Sequence, residues 1–288
     1  MTSNETPRLA YDDEGSGTPV VLLHGLTFNR TIWRPVVERL RALPTIHDDV
    51  PAPAAASAPA ELRTITIDLP GHGQSEGAAC PLPEVVELIH ALLRQRDVEA
   101  PVMVGHSISG VIATIYGATF PALGVVNIAQ PLDVAPFALL LSPLVPYLTG
   151  SNFAQAFEPF QRSMGFEQLS PGLRELVLAN QTISRDLVLG YWDGLLHTEA
   201  NALEREMIKT MARVRCPYLA IFGQPIAPKQ RVFMADRLMD LQIEEWPGRG
   251  HFLHLADVES FSARLRAFVN CCRSSTSSPA RRAEGLST

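Results

Sequence analysis

Short apolar runs, each stopped by glycine or a polar turn, alternate along the chain with stretches of helical spacing. Pro19-Val20-Val21-Leu22-Leu23 runs into His24-Gly25 and reads as a buried strand. Ile32, Val36, Val37, Leu40 and Leu43 fall on one helical face. A second strand, Arg63 to Asp68, ends at Leu69-Pro70-Gly71-His72-Gly73, and Glu84 to Arg96 forms an amphipathic helix. Val102 to Gly105 is a further strand, followed by a packed helix from Val111 to Gly117 and another strand at Gly124 to Ile128. Tyr218 to Phe222 and Gln242 to Trp246 complete the strands, and Val258 to Cys271 is a closing helix. This alternation predicts an α/β fold, a mostly parallel central sheet with helices on both faces.

Between residues 131 and 213 the alternation stops. Only helical segments follow one another there: Phe153 to Met164, Pro171 to Asn180, Arg185 to Leu196 and Ala200 to Val214. The stretch is too long for a loop. It is expected to be a helical cap over one end of the sheet, inserted into a core formed by residues 1–130 and 214–272. Residues 44–60 are Pro/Ala-rich and read as a mobile loop, and 273–288 as a disordered tail.

Composition narrows the partners. The chain has 288 residues, 46% hydrophobic and 19% charged, with a formal net charge of −6, which argues against a nucleic-acid partner. The one basic cluster, Arg281-Arg282, lies in the tail. Cys80, Cys216, Cys271 and Cys272 form no CxxC pair, so neither a zinc site nor a disulfide framework is expected, and a reducing compartment fits. The polar N-terminus lacks the apolar stretch of a secretory signal, and no run of 18 apolar residues offers a membrane span. The expected setting is cytoplasmic, with a small molecule as partner and no membrane; oligomeric state stays open.

One corner carries chemistry. Val102-Met103-Val104 runs straight into Gly105-His106-Ser107-Ile108-Ser109-Gly110, with a helix behind. A serine at such a strand-to-helix turn has its Oγ lifted clear of the sheet, with the helix's first N–H groups facing the charge that develops on an attacked carbonyl. The second glycine of the usual G-x-S-x-G pattern is replaced by Ser109.

With His24-Gly25-Leu26 followed by Trp33, Asp68-Leu69-Pro70-Gly71-His72-Gly73-Gln74-Ser75, the corner at Ser107, and Gly250-His251-Phe252 in this order, the chain resembles the α/β-hydrolases. The resemblance spans roughly residues 8–271 and implies a serine-nucleophile member with a helical cap. It makes Ser107 the nucleophile and His251 the general base, with His254 as a competitor three residues on. Backbone N–H groups of Leu26 and Ile108 would form the oxyanion hole. His24 and His72 would shape the pocket rim, and His106 would pack beside the nucleophile. Phe28, Trp33 and Trp192 are candidate pocket walls, alongside Tyr191 and Leu195. No metal or organic cofactor is implied.

The third member of the triad is where the chain departs from the family. After Tyr218 to Phe222 it reads Gly223-Gln224-Pro225-Ile226, with Ile226 where an aspartate is expected. After the preceding strand the nearest carboxylate is Asp133. Three readings stay open: Asp133 orients His251; the pair works as a dyad with Gln130 or a backbone carbonyl holding the ring; or the site is catalytically impaired. The expected activity is hydrolysis of a small hydrophobic carboxylic ester or lactone through an acyl-enzyme. Carbon–carbon bond hydrolysis and perhydrolysis stay open, as does a ligand-binding protein on a hydrolase scaffold. Dehalogenase and epoxide-hydrolase chemistry is disfavoured, because both need a carboxylate at position 107.

Overall fold

Seven strands form one sheet in the order β1-β3-β2-β4-β5-β6-β7 in the computed structural model, which describes residues 7–42 and 61–277. β1 is Tyr11–Gly15, β2 Thr18–Leu23, β3 Leu62–Ile67, β4 Val102–His106, β5 Gly124–Ile128, β6 Tyr218–Phe222 and β7 Leu241–Glu245. All neighbours pair in parallel except the edge pair β1–β3. β4, β5 and β6 are buried along their whole length, the signature of strands covered on both faces.

In chain order the helices are α1 (Arg34–Ala42), α2 (Leu82–Gln95), α3 (Ile108–Thr119), α4 (Ala135–Leu141), α5 (Val145–Thr149), α6 (Phe153–Arg162), α7 (Pro171–Ala179), α8 (Arg185–His197), α9 (Ala200–Arg213), α10 (Pro228–Ala235), α11 (Leu253–Ala256) and α12 (Val258–Ser277). α1 and α12 cover one face of the sheet and α2 and α3 the other, which divides the core in two. On α12, Phe261, Leu265, Phe268, Val269 and Cys272 are fully buried. Burying each such large side chain contributes on the order of 1.5–3 kcal/mol.

Three differences from the sequence reading have physical causes. β1 is absent from that reading because Tyr-Asp-Asp-Glu-Gly shows no apolar run; it is a half-exposed edge strand. α12 continues past Cys271 to Ser277, where Ser274 Oγ donates back to the Asn270 carbonyl and keeps the helical turn going without apolar spacing. Between β5 and β6 the chain is helical without a strand, and adds α4 and α5, each entered through a proline in its first turn. The Pro/Ala-rich stretch 44–60 and Arg281-Arg282 lie outside the described residues. Among those described, no helix is long and apolar enough to cross a membrane.

Candidate active site

Parallel pairing puts the carboxyl ends of β2, β4, β5, β6 and β7 along one edge of the sheet. Leu26, Ser107, Ile108, Asp133 and His251 each follow one of those ends.

Ser107 follows β4 directly and sits at φ +57, ψ −130. That backbone conformation is costly for any residue with a Cβ and is a mark of functional corners, costing about 1–3 kcal/mol. The surroundings enforce it. Ser107 N–H donates to the Ile128 carbonyl (2.8 Å) and Gly110 N–H to the Ser107 carbonyl (2.7 Å). A Cβ at Gly105 would lie 1.9 Å from the Ser109 carbonyl oxygen, so only glycine fits beneath the turn. The substituted Ser109 is buried and donates its hydroxyl hydrogen to the His24 carbonyl, tying this corner to the loop after β2.

That loop passes close to the nucleophile position. A Cβ at Gly25 would come 3.3 Å from Ser107 Cβ and 3.0 Å from His106 Nδ1. Ile108 opens α3, where the first amides have no intrahelical acceptor. The backbone of Gly25-Leu26 and the start of α3 therefore flank the Ser107 side chain.

His24 and His72 are buried beneath the loops, not at a rim. The His24 ring spans two loops: Nδ1 donates to the Gly25 carbonyl (2.8 Å), and Nε2 accepts from Leu69 N–H (3.0 Å). His72 follows the same logic, donating from Nδ1 to Pro70 O (3.2 Å) and accepting at Nε2 from Thr27 N–H (3.2 Å). A carbonyl only accepts and an amide only donates, so both rings are the neutral Nδ1–H tautomer. Burial agrees, pushing His24 down to about 4 and His72 to about 3.

His251 comes from the loop after β7. Gly250 N–H bonds the Gly223 carbonyl (3.3 Å) and steers that loop back across the sheet edge. The His251 ring comes to rest 4.7 Å, centroid to centroid, from the ring of His106, the residue next to Ser107. His106 Nε2 donates to the His251 carbonyl at 2.9 Å and so fixes its backbone. Although His251 keeps some exposure, desolvation lowers its pKa to about 4, leaving a neutral imidazole at pH 7. No hydrogen bond joins it to Ser107 Oγ; catalytic bonds of this kind are often long without substrate. The competitor His254 is fully buried between Trp33 and His106, its ring 4.6 Å from each, with no contact to solvent.

No described carboxylate pairs with His251, and its lowered pKa has desolvation as its sole cause. Asp133 lies beyond β5, part-exposed, without a hydrogen bond or ion pair among the described residues. Gln130 turns its amide to the Pro131 carbonyl (2.8 Å). Ile226 N–H bonds Glu245 Oε1 (3.2 Å), and that carboxylate also takes Arg231 (2.7 Å). The structure thus brings Ser107 and His251 to one edge, and leaves Asp133 apart from His251.

The pocket candidates scatter. Phe28 packs against Phe166 and Phe252. Trp33 is fully buried in the core against His254 and Phe261, at the end of a short 3-10 turn, Arg30–Trp33, that leads into α1. Trp192 lies in an aromatic cluster with Phe137, Phe157 and Phe160 inside the helical segment. Two surface hollows, ≈ 990 Å³ beside Arg8, Tyr11 and Arg30 and ≈ 630 Å³ beside Arg174 and Leu178, are lined by neither Ser107 nor His251. Among the described residues no His, Cys, Asp and Glu cluster has the makings of a metal site.

Sequence reasoning missed Asp68 as a structural centre. Its buried carboxylate accepts from Arg30 N–H (2.7 Å) and Gln74 N–H (2.8 Å) and pairs with the Arg30 side chain. A Cβ at Gly73 would fall 2.1 Å from that carboxylate, which explains the glycine after His72.

Comparison with known proteins places this architecture. Residues 20–264 match the model of the "Alpha/beta hydrolase family". The chain is 30% identical over 116 residues to a pimeloyl-[acyl-carrier protein] methyl ester esterase of Aliivibrio salmonicida, a match covering 40% of this chain and 36% of the esterase. It is 25% identical over 266 residues to a 2-succinyl-6-hydroxy-2,4-cyclohexadiene-1-carboxylate synthase of Serratia proteamaculans, covering 87% and 92% of the two chains. Among solved structures, Est816, described as an N-acyl homoserine lactone degrading enzyme, superposes with a TM-score of 0.67 at 19% identity, over 92% of this chain and 98% of that one. The protein belongs to the alpha/beta hydrolase family and is an enzyme of hydrolase type.

Proposed function

We propose that the protein is a serine hydrolase of small, hydrophobic carboxylic esters or lactones, working through an acyl-enzyme with a Ser107–His251 dyad. His251, neutral at pH 7, takes the proton of Ser107 Oγ as that oxygen adds to the substrate carbonyl. The resulting oxyanion rests on the N–H groups of Leu26 and Ile108; losing one such donor costs on the order of 10²–10³ in rate. His251 then protonates the departing alkoxide, and the acyl group stays on Ser107. Water repeats the sequence, with His251 as base and Ser107 as leaving group, releasing the acid.

The observation that carries this reading is the backbone of Ser107, held at φ +57 between the Ile128 carbonyl and α3 with Gly25 packed alongside. A serine that served only as a turn residue would give no reason to sustain that conformation. Without a carboxylate partner, His251 depends for its placement on the His106 bond to its own carbonyl and on the packing of Phe252. The helical segment 131–213 acts as a cap over the sheet edge, and its apolar-rich composition favours hydrophobic substrates. The names of the relatives, a methyl ester esterase and a lactone-degrading enzyme, agree with an ester or lactone as substrate.

A fluorophosphonate probe tests this. Ser107 Oγ displaces fluoride from phosphorus, so the folded protein should gain one adduct, found at Ser107 and absent from Ser107→Ala. A folded protein that binds small esters yet takes no label at Ser107 would overturn the dyad. That result would favour the ligand-binding reading, which the missing carboxylate supports.

A further inference from the structure

Thr27 is a β-branched residue at φ +73, a left-handed conformation that threonine rarely adopts. It occupies the third position of a tight turn closed by Phe28 N–H donating to the Gly25 carbonyl (3.2 Å). Positive φ at that position defines a type II turn, which ordinarily calls for glycine or asparagine. Something other than local preference must keep this turn closed.

The contacts on Thr27 supply it. Its N–H donates to His72 Nε2 (3.2 Å). Its carbonyl accepts from Thr182 N–H (2.7 Å), and its Oγ1 meets the Gln181 amide (3.3 Å). Two residues on, Asn29 gives its side-chain amide to Asn180, reaching both the carbonyl (3.3 Å) and Oδ1 (3.2 Å). Asn29 Oδ1 is committed to Thr31 N–H (3.0 Å), so the amide can only point toward Asn180. Three consecutive residues after α7 thus grip the turn that follows β2.

That turn contains the Leu26 N–H. The Gly25 carbonyl and the Leu26 N–H belong to one peptide plane and point in opposite directions. The carbonyl is held by Phe28 N–H and by His24 Nδ1 (2.8 Å), so a closed turn keeps the Leu26 N–H facing the other way. We propose that residues 180–182 of the helical segment are positioning residues for the oxyanion hole, holding Thr27 left-handed so that the Leu26 N–H stays aimed at the substrate oxygen. This rests on the serine-hydrolase reading and deepens it: seating of the helical segment and readiness of the hole become one event.

The test is a cycle between Gln181→Ala and Thr27→Gly, with p-nitrophenyl butyrate as substrate. Gln181 is part-exposed, so its truncation leaves the core intact. Gln181→Ala should lower kcat about 3- to 10-fold, the range of one hydrogen bond, with KM moving less than about twofold. Glycine at 27 adopts the left-handed turn without help. In the Thr27→Gly background the same Gln181→Ala change should therefore move kcat less than about twofold. Equal losses in both backgrounds, or no loss in either, would overturn the proposal. A wild-type protein that neither hydrolyses the ester nor takes the fluorophosphonate would instead bring down the parent reading, and it is read before any variant is made.

Discussion

The hydroxyl of Ser109 donates to the main-chain carbonyl of His24, a buried bond joining the turn behind the nucleophile position to the loop that carries the oxyanion candidates. The family pattern has glycine there, and glycine could not make this bond. Ser109→Ala leaves the His24 carbonyl buried and short of a partner. The expected cost is about 1–3 kcal/mol in denaturant unfolding, with kcat falling alongside as the Gly25-Leu26 backbone loses its anchor. Unchanged midpoints and unchanged kcat would show that the bond carries no weight.

Ser107→Gly should separate stability from chemistry. Glycine accepts φ +57 without the steric penalty of a Cβ. Turnover should vanish, while thermal unfolding shifts upward by the equivalent of about 1 kcal/mol. A lower melting temperature than wild type would show that Ser107 is not strained.

The missing acid can be put back. Gly223 packs on Gly250, just before His251, so a carboxylate on the loop after β6 approaches the imidazole from the expected side. Disabling this third group in a complete triad can cost roughly 10⁴ in turnover. A partial restoration by Gln224→Asp or Ile226→Asp should raise kcat about 10- to 100-fold in one of the two variants. A carboxylate beside His251 also favours its charged form, so the acid limb of kcat/KM should move up from about 4. If neither variant changes the rate or the limb, His251 does not need orientation by charge.

Acid should unfold this protein early. His24 and His251 are lowered to about 4, His72 and His254 to about 3, and His106 well below the ordinary value, desolvation being the first cause in each. The unfolded chain binds these protons near pH 6.5 and the folded one does not, so the unfolded state holds more protons between about 6.5 and 4. Stability is therefore full above pH 6.5 and falls as pH drops through that window. Each histidine contributes up to about 1.4 kcal/mol per pH unit. Melting temperature measured from pH 7.5 down to 4.5 should show a steep decline below 6.5; a flat profile would mean the rings are more hydrated than their burial implies.

How much of this was legible follows from the range of the interactions. The central strands announce themselves because β4, β5 and β6 are apolar throughout, and the corner at Ser107 because a strand, small residues and a helix meet within a few positions. β1 did not, since Tyr-Asp-Asp-Glu-Gly earns its place through pairing with β3. α4 and α5 hid behind Pro136 and Pro146, which sequence punctuation treats as breaks but which sit in first turns. The departure at Ile226 could be read directly, as a missing residue type. What His24, His72 and Thr27 do could not, because each depends on a partner 45 or more positions away and no local pattern encodes a tautomer or a strained turn.

The parallel order of the sheet also bears on synthesis. The loop holding Leu26 leaves the ribosome before β4 to β7, and His251 leaves only after β7, which pairs with β6. A nascent chain that stops short of residue 251 cannot hold both at one edge, so under the proposed dyad it lacks the base. Hydrolytic competence should appear only once the segment that carries His251 has been made and β7 has paired with β6, whatever the order in which the earlier strands settle.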